Sequence, residues 1–271
     1  MKKLIPVLII AVLVIGLSVL LYPTAANYFN ARSQSRVVAR YYESLEGLDD
    51  AEYGALLDAA HEYNRKLNGR SNRYSFTEED DAEYRRQLSV NNSGVMGIIE
   101  IERINVRLPV YHGTSESVLQ AGTGHLEGTS LPVGGANTHS AVTGHRGLPS
   151  SLLFTHLDKL AVGDTFILYV LKETLTYKID QILVVEPDQT EAMEPAEGMD
   201  YCTLMTCTPY GINSHRMLLR GHRIENAAAD EEARLAEIAA KAREINVLWF
   251  IVPAAVVLIG AAIFVVTRKK R

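Results

Sequence analysis

The chain carries two cysteines, Cys202 and Cys207, and eight histidines, and a thiol working with an imidazole is the pair that covalent acyl chemistry needs. Residues 201–206 read as a strand, and the two cysteines are five positions apart. An odd separation puts their side chains on opposite faces, and a strand rise of about 3.3 Å per residue holds their Cα atoms about 16 Å apart, against the roughly 7 Å limit for a disulfide. Both are therefore expected to be free thiols. Cys202 lies in mid-strand beside Tyr201 and is expected to be a buried, inert, small hydrophobe. Cys207 ends the strand and is followed at once by Thr208-Pro209-Tyr210-Gly211. Those are turn residues, so the Cys207 sulfur is expected at a rim where a substrate can reach it.

A cysteine nucleophile needs a group that holds and returns protons. The histidines are at 61, 112, 125, 139, 145, 156, 215 and 222, so composition alone does not choose. His145 has the best setting: it follows an Ala141-Val142-Thr143 strand and is flanked by glycines in Thr143-Gly144-His145-Arg146-Gly147. His139, earlier on the same strand, and His215, near the start of the last one, are rivals, each expected to make a structural hydrogen bond. No histidine joins cysteine or aspartate at a metal-ligand spacing, so neither a zinc site nor any other metal is expected.

The elements that position these residues change character along the chain. Residues 32–88 lack proline and repeat apolar or aromatic residues at three- and four-residue spacing, as in Tyr53, Leu56, Leu57, Ala60, Tyr63, Leu67, which predicts two or three short helices. Asn68-Gly69-Arg70-Ser71-Asn72 interrupts them and leaves Tyr74-Ser75-Phe76 on a loop. From Gly94 the period becomes two. Strands are predicted at 96–101, 106–111, 138–143, 165–171, 175–185, 201–206 and 217–224, with short helices at 115–120 and 151–157. The total is about eight strands with few helices, a pattern suited to a closed β-barrel. Residues 227–246 are Ala-rich and helical in pattern.

Both ends are apolar and uncharged: residues 4–22 and 247–267 each approach the roughly 20 residues that cross a bilayer. Residues 23–246 hold all 32 acidic residues against 21 basic ones, a formal charge of −11. That balance gives no electrostatic reason to bind nucleic acid, and composition excludes collagen-like and disulfide-framework chains. Lys2 and Lys3 precede the first run and Arg268-Lys269-Lys270-Arg271 follow the second, so both termini are expected in the cytoplasm with the acidic body outside. A cleaved signal peptide is the alternative for the first run, with Thr24-Ala25-Ala26 as a possible cleavage site. A removable cell-wall sorting tail is the alternative for the second. Such a tail needs a sorting pentapeptide just upstream, residues 226–246 contain none, and the nearest imitation, Leu131-Pro132-Val133-Gly134-Gly135, lies far upstream of it, so a permanent anchor is expected.

Thr203-Leu204-Met205-Thr206-Cys207 resembles the TLxTC signature of the sortases, membrane-anchored cysteine transpeptidases of Gram-positive bacteria. Residues 208–223 and 143–160 resemble the pilus-assembling class C branch, and the likeness covers roughly residues 93–226. The resemblance implies an eight-stranded sortase-type barrel at 93–226, between a 24–92 helical extension and a 227–246 linker, with anchors at 1–23 and 247–267 and a cytoplasmic tail at 268–271. It implies three catalytic residues, Cys207, His145 and Arg216, with Thr206 at the substrate site. Arg216 stands nine residues after the cysteine. Arg220 and Arg223 share its strand, and the family spacing selects Arg216.

It implies also that no cofactor is needed. An LPxTG-type signal would be cleaved after its threonine, and the acyl group passed to a lysine amine of a pilin or to a cell-wall precursor amine. The second span and the 32–92 extension favour the pilin lysine. A catalytically idle membrane scaffold is the alternative from another class, and all three implied catalytic residues are present. Class C enzymes usually carry a lid with Asp-Pro-Phe or Asp-Pro-Trp, and no such tripeptide occurs between 24 and 92. Tyr74 or Phe76, with Glu78 or Glu79 as the acid, are the candidate substitutes; the alternative is that they pack a helix on the barrel.

Overall fold

A computed structural model of the protein describes residues 4–90 and 92–226. The second apolar run, the helix predicted at 227–246, the basic tail and Lys2-Lys3 lie outside the described residues.

The first element, α1, is one helix over Leu4–Glu46. The apolar run and the start of the helical extension are thus a single element, which continues through Pro23. Helix α2 spans Asp50–Asn68 and α3 spans Glu78–Arg86. Both begin with a capping box, Asp49 with Glu52 and Thr77 with Asp80, which satisfies amide groups that a helix start leaves unbonded. The break between them, at Gly69 to Thr77, contains the predicted loop.

Eight strands follow: β1 Val95–Ile101, β2 Val106–His112, β3 Thr123–His125, β4 Thr138–Thr143, β5 Thr165–Val170, β6 Glu173–Val185, β7 Asp200–Thr208 and β8 His215–Ile224. They close into a barrel in the order β1-β2-β3-β4-β7-β8-β6-β5. Seven of the eight were expected near these positions. The three residues of β3 were not, because Thr-Gly-His has no alternating apolar pattern. A short helix, α4, covers Glu116–Ala121, where one was predicted. The other predicted helix, at 151–157, is corrected: that stretch is a series of turns, with one 3-10 turn at Leu157–Lys159. Leu153 has φ of 33°, outside the helical region, which ends any helix started at Ser151.

The helices are fastened to the barrel by buried side chains. Tyr41 of α1 is 1% exposed; its hydroxyl donates to the Met96 carbonyl of β1 and accepts from the Leu171 amide. Asn64 of α2 holds Leu131 from both sides, accepting from its amide at 2.7 Å and donating to its carbonyl at 3.1 Å. The pentapeptide Leu131 to Gly135 is therefore part of the packed β3–β4 connection, with Leu131 fully buried. Tyr84 of α3 lies buried beneath the same region, its hydroxyl 2.9 Å from the His125 ring and accepting from the Gly113 amide.

Two pairings determine where the chemistry-bearing residues fall. β4 and β7 run parallel with Thr143 beside Met205, and β7 and β8 run antiparallel with Cys207 beside Arg216. The C-terminal ends of β4 and β7 and the start of β8 therefore meet at one end of the barrel.

Candidate active site

Alternation along β7 separates the two thiols. Cys202, Leu204, Thr206 and Thr208 are all buried, whereas Met205 and Cys207 are half-exposed on the other face. Cys202 and Cys207 are both free. Cys202 is fully buried, and burial pushes its thiol well above the ordinary range, with the Asp200 carboxylate adding to the shift. A group kept neutral in this way is a poor nucleophile.

Arg216 is the direct cross-strand partner of Cys207, and directly opposed residues of an antiparallel pair project from the same face. Its guanidinium donates to the carbonyls of Asn213 and His215, at 3.2 and 3.1 Å. The other two arginines of β8 are engaged differently. Arg220 makes two hydrogen bonds to Asp180, at 3.0 and 3.3 Å, and lies over the Tyr201 ring. Arg223 lies 3.9 Å from the Asp200 carboxylate. Among the described residues no carboxylate is within 4.0 Å of Arg216. Of the three, Arg216 alone therefore keeps its charge available for a new anion.

His145 follows β4 by two residues, and two residues beyond the Thr143–Met205 pair come His145 on one chain segment and Cys207 on the other. Gly144 carries that alignment past the end of the ladder. Its amide donates to Met205 at 3.1 Å and its carbonyl accepts from the Thr206 hydroxyl at 2.7 Å. A side chain at Gly144 would meet the Phe154 ring at 2.9 Å, so the close approach requires glycine. His145, Cys207 and Arg216 thus occupy successive positions across three neighbouring segments.

Glu116 of α4 adds a group that sequence reasoning missed. Its carboxylate lies 3.3 Å from Nε2 of His145 and accepts from the Gln120 side chain at 2.9 Å. The Gln120 hydrogen bond, followed by the charge of His145, holds the Glu116 carboxyl below its usual range. The pair joins residues 29 positions apart, so no local pattern announces it. Arg146, next in sequence, bridges to the β7–β8 turn: it donates to the Thr208 hydroxyl at 3.3 Å, pairs with Asp158 at 2.6 Å and lies 5.9 Å from the centre of the Tyr210 ring.

The remaining expected residues lie elsewhere. Thr206 points into the barrel, 1% exposed, with its hydroxyl held by Gly144. Phe76 packs edge-on against Tyr84 at 6.3 Å, and Tyr74 lies against Gly128. Their neighbour Arg73 is buried and paired with Glu194 at 3.1 Å. The Glu194 carbonyl contacts the His139 ring, near the start of β4. The structure therefore does not bring Tyr74 or Phe76 to Cys207. His139 is a buried structural residue, its other ring nitrogen 2.7 Å from the Thr203 hydroxyl. His215 is half-exposed and contacts Glu186 at 3.2 Å.

A closed barrel bearing one half-exposed thiol, with a guanidinium opposite and an imidazole alongside, is the frame of a cysteine acyltransferase. The comparisons narrow this. The sortase domain model matches residues 99–224. Sortase C1 from Streptococcus agalactiae has a crystal structure of similar fold, with a TM-score of 0.69 and 47% identity over 71% of this chain and 100% of that one. Sortase C from Clostridium perfringens, solved with the C-terminal cell wall sorting motif, gives 0.63 and 41%, over 70% of this chain and 99% of that one. Sortase D of Bacillus subtilis is 27% identical over 148 residues, 54% of this chain and 72% of that protein. The chain belongs to the sortase family, whose members are cysteine transpeptidases, and its structural neighbours are class C enzymes.

Proposed function

We propose that this protein is a two-span cell-surface transpeptidase that joins an LPxTG-type sorting signal to a lysine amine of a pilin, extending a pilus. The observation that carries this reading is the pairing of Cys207 with Arg216, the β8 arginine whose charge no carboxylate among the described residues neutralises. The Cys207 thiolate attacks the threonine carbonyl of the signal. The carbonyl oxygen becomes an oxyanion, which the Arg216 guanidinium stabilises. As the C–N bond breaks, His145 gives its proton to the departing glycine amine and leaves a thioester on Cys207. The lysine amine then attacks the thioester and passes a proton back to His145. An isopeptide bond forms and the thiolate is regenerated. No cofactor enters these steps.

α1 contains an apolar stretch long enough to cross a membrane. In the proposed topology the barrel stands outside the cell, and both termini, with their Lys and Arg residues, remain in the cytoplasm.

The test is to incubate the full chain in detergent with an LPxTG peptide and measure its mass. The expected product is an acyl adduct on Cys207 that a pilin lysine peptide releases as an isopeptide. Absence of any adduct overturns the transpeptidase reading. Release by a cell-wall precursor amine but not by the lysine peptide assigns the enzyme to wall anchoring instead.

A further inference from the structure

The end of the barrel that holds Cys207 is ringed by exposed apolar side chains, and α1 fixes how far they stand from its own apolar stretch. Asn27, Asn30 and Gln34 recur along α1 and clasp the segment that follows His145. The Asn27 side chain accepts from the Leu152 amide at 3.0 Å, Asn30 donates to the Ser150 carbonyl at 2.8 Å, and Gln34 reaches the Ser151 hydroxyl and the Ala121 carbonyl. The apolar run ends at Tyr22, five residues before Asn27, which is about 7.5 Å along a helix. A bilayer extends roughly 5–7.5 Å beyond its hydrocarbon core on each side before bulk water begins. Leu152 is therefore held at the outer edge of the lipid headgroups.

What faces that layer is apolar. Leu152 is 49% exposed and Phe29 on α1 is 52% exposed. In the β7–β8 turn, Tyr210 is 60% exposed and Ile212 71% exposed. The turn is tied to the same segment: the Tyr210 ring would lie 3.0 Å from a side chain added at Gly147, and Arg146 sits beside that ring. Clusters of exposed apolar and aromatic residues mark contact surfaces, and tyrosine suits a membrane interface because its ring is apolar and its hydroxyl wet.

We propose that Phe29, Leu152, Tyr210 and Ile212 form a rim that seats the Cys207 end of the barrel on the headgroup layer of the bilayer that α1 crosses. This rests on the reading of α1 as a membrane span. The active-site mouth then faces the lipid surface, and a polypeptide that emerges from the same leaflet meets Cys207 without first crossing bulk water.

The test uses the full chain with its one tryptophan removed, Trp249→Phe, and an indole introduced by Ile212→Trp, by Leu152→Trp, or by Met199→Trp. Met199 precedes β7 at the opposite end of the barrel from Cys207. Each protein is reconstituted into phosphatidylcholine vesicles with or without acyl chains brominated near the headgroup. The expected result is that bromination lowers indole emission to about half at the two rim positions, where residues penetrate the interface, and leaves the Met199→Trp protein unchanged. Equal emission in both lipids at the rim, in protein that floats with the vesicles, overturns the proposal but not the anchor. Protein that does not float with the vesicles overturns the membrane reading of α1 and the rim with it.

Discussion

The Thr206 hydroxyl donates a 2.7 Å hydrogen bond to the carbonyl of Gly144, which ties the residue before Cys207 to the residue before His145. Thr206→Val keeps the shape of the side chain and leaves that buried carbonyl without its partner, a loss of about 1–3 kcal/mol. Turnover is expected to fall further than stability accounts for, because a shift of about 1 Å between catalytic groups can cost roughly 100-fold. Thr206→Ser restores the bond and most of the rate. Kinetics on a sorting-signal peptide, with urea unfolding of the same variants, checks this; equal rates for Val and Ser remove the positioning role.

The two thiols should part cleanly. Cys207→Ala is expected to abolish acyl transfer, and Cys202→Ala to retain most of it while losing about 1–2 kcal/mol for the small cavity left behind. Iodoacetamide counted by mass gives a second measure: one label on the native protein, on Cys207, and two after denaturation.

Arg216→Gln should lower kcat by about 100- to 1,000-fold, the usual effect of removing an oxyanion donor. Arg220→Gln should act on stability instead, because Asp180, half-buried, loses both hydrogen bonds. Comparing kcat with the urea midpoint separates the two. A similar kcat loss in both variants would mean that strand geometry, and not the charge facing Cys207, is responsible.

Stability should fall on acidification before the carboxylates titrate. Burial lowers His125 and His139 from 6.5 to about 4, and His112 shifts in the same direction. The unfolded chain therefore takes up protons near pH 6.5 that the folded chain refuses until about pH 4. Stability is full above pH 7 and is lost as pH falls through that window, with a slope of up to about 1.4 kcal/mol per pH unit for each histidine. Unfolding midpoints between pH 4 and 8 test this, and His139→Gln should flatten the slope. An unchanged midpoint down to pH 5 would contradict it.

The β-branched and apolar runs between turn residues made most of the barrel legible, and the parity of β7 assigned the two cysteines to opposite sides. What one sequence does not display is which strands lie side by side. The parallel neighbours β4 and β7 are brought together over a crossover of more than fifty residues, so the alignment of His145 with Cys207 came from a family likeness and not from spacing. Glu116 was invisible for the same reason. The stretch at 151–157 misled because a capping-type serine before Leu-Leu-Phe looks like a helix start, whereas the positive φ of Leu153 is set by how the segment folds under His145. Pro23 was a natural place to end an element, yet α1 runs through it, since one missing backbone bond is affordable in a helix of 43 residues.

The parity of β7 also bears on oxidation. One way a thiol survives peroxide is to condense as a sulfenic acid with a second, resolving cysteine, forming a disulfide that a reductant then opens. Here the second cysteine faces the barrel interior, about 16 Å along an extended strand, and the chain has no third. A sulfenic acid on Cys207 therefore has no resolving cysteine within reach, and its reduction through a disulfide falls to thiols supplied from outside the molecule.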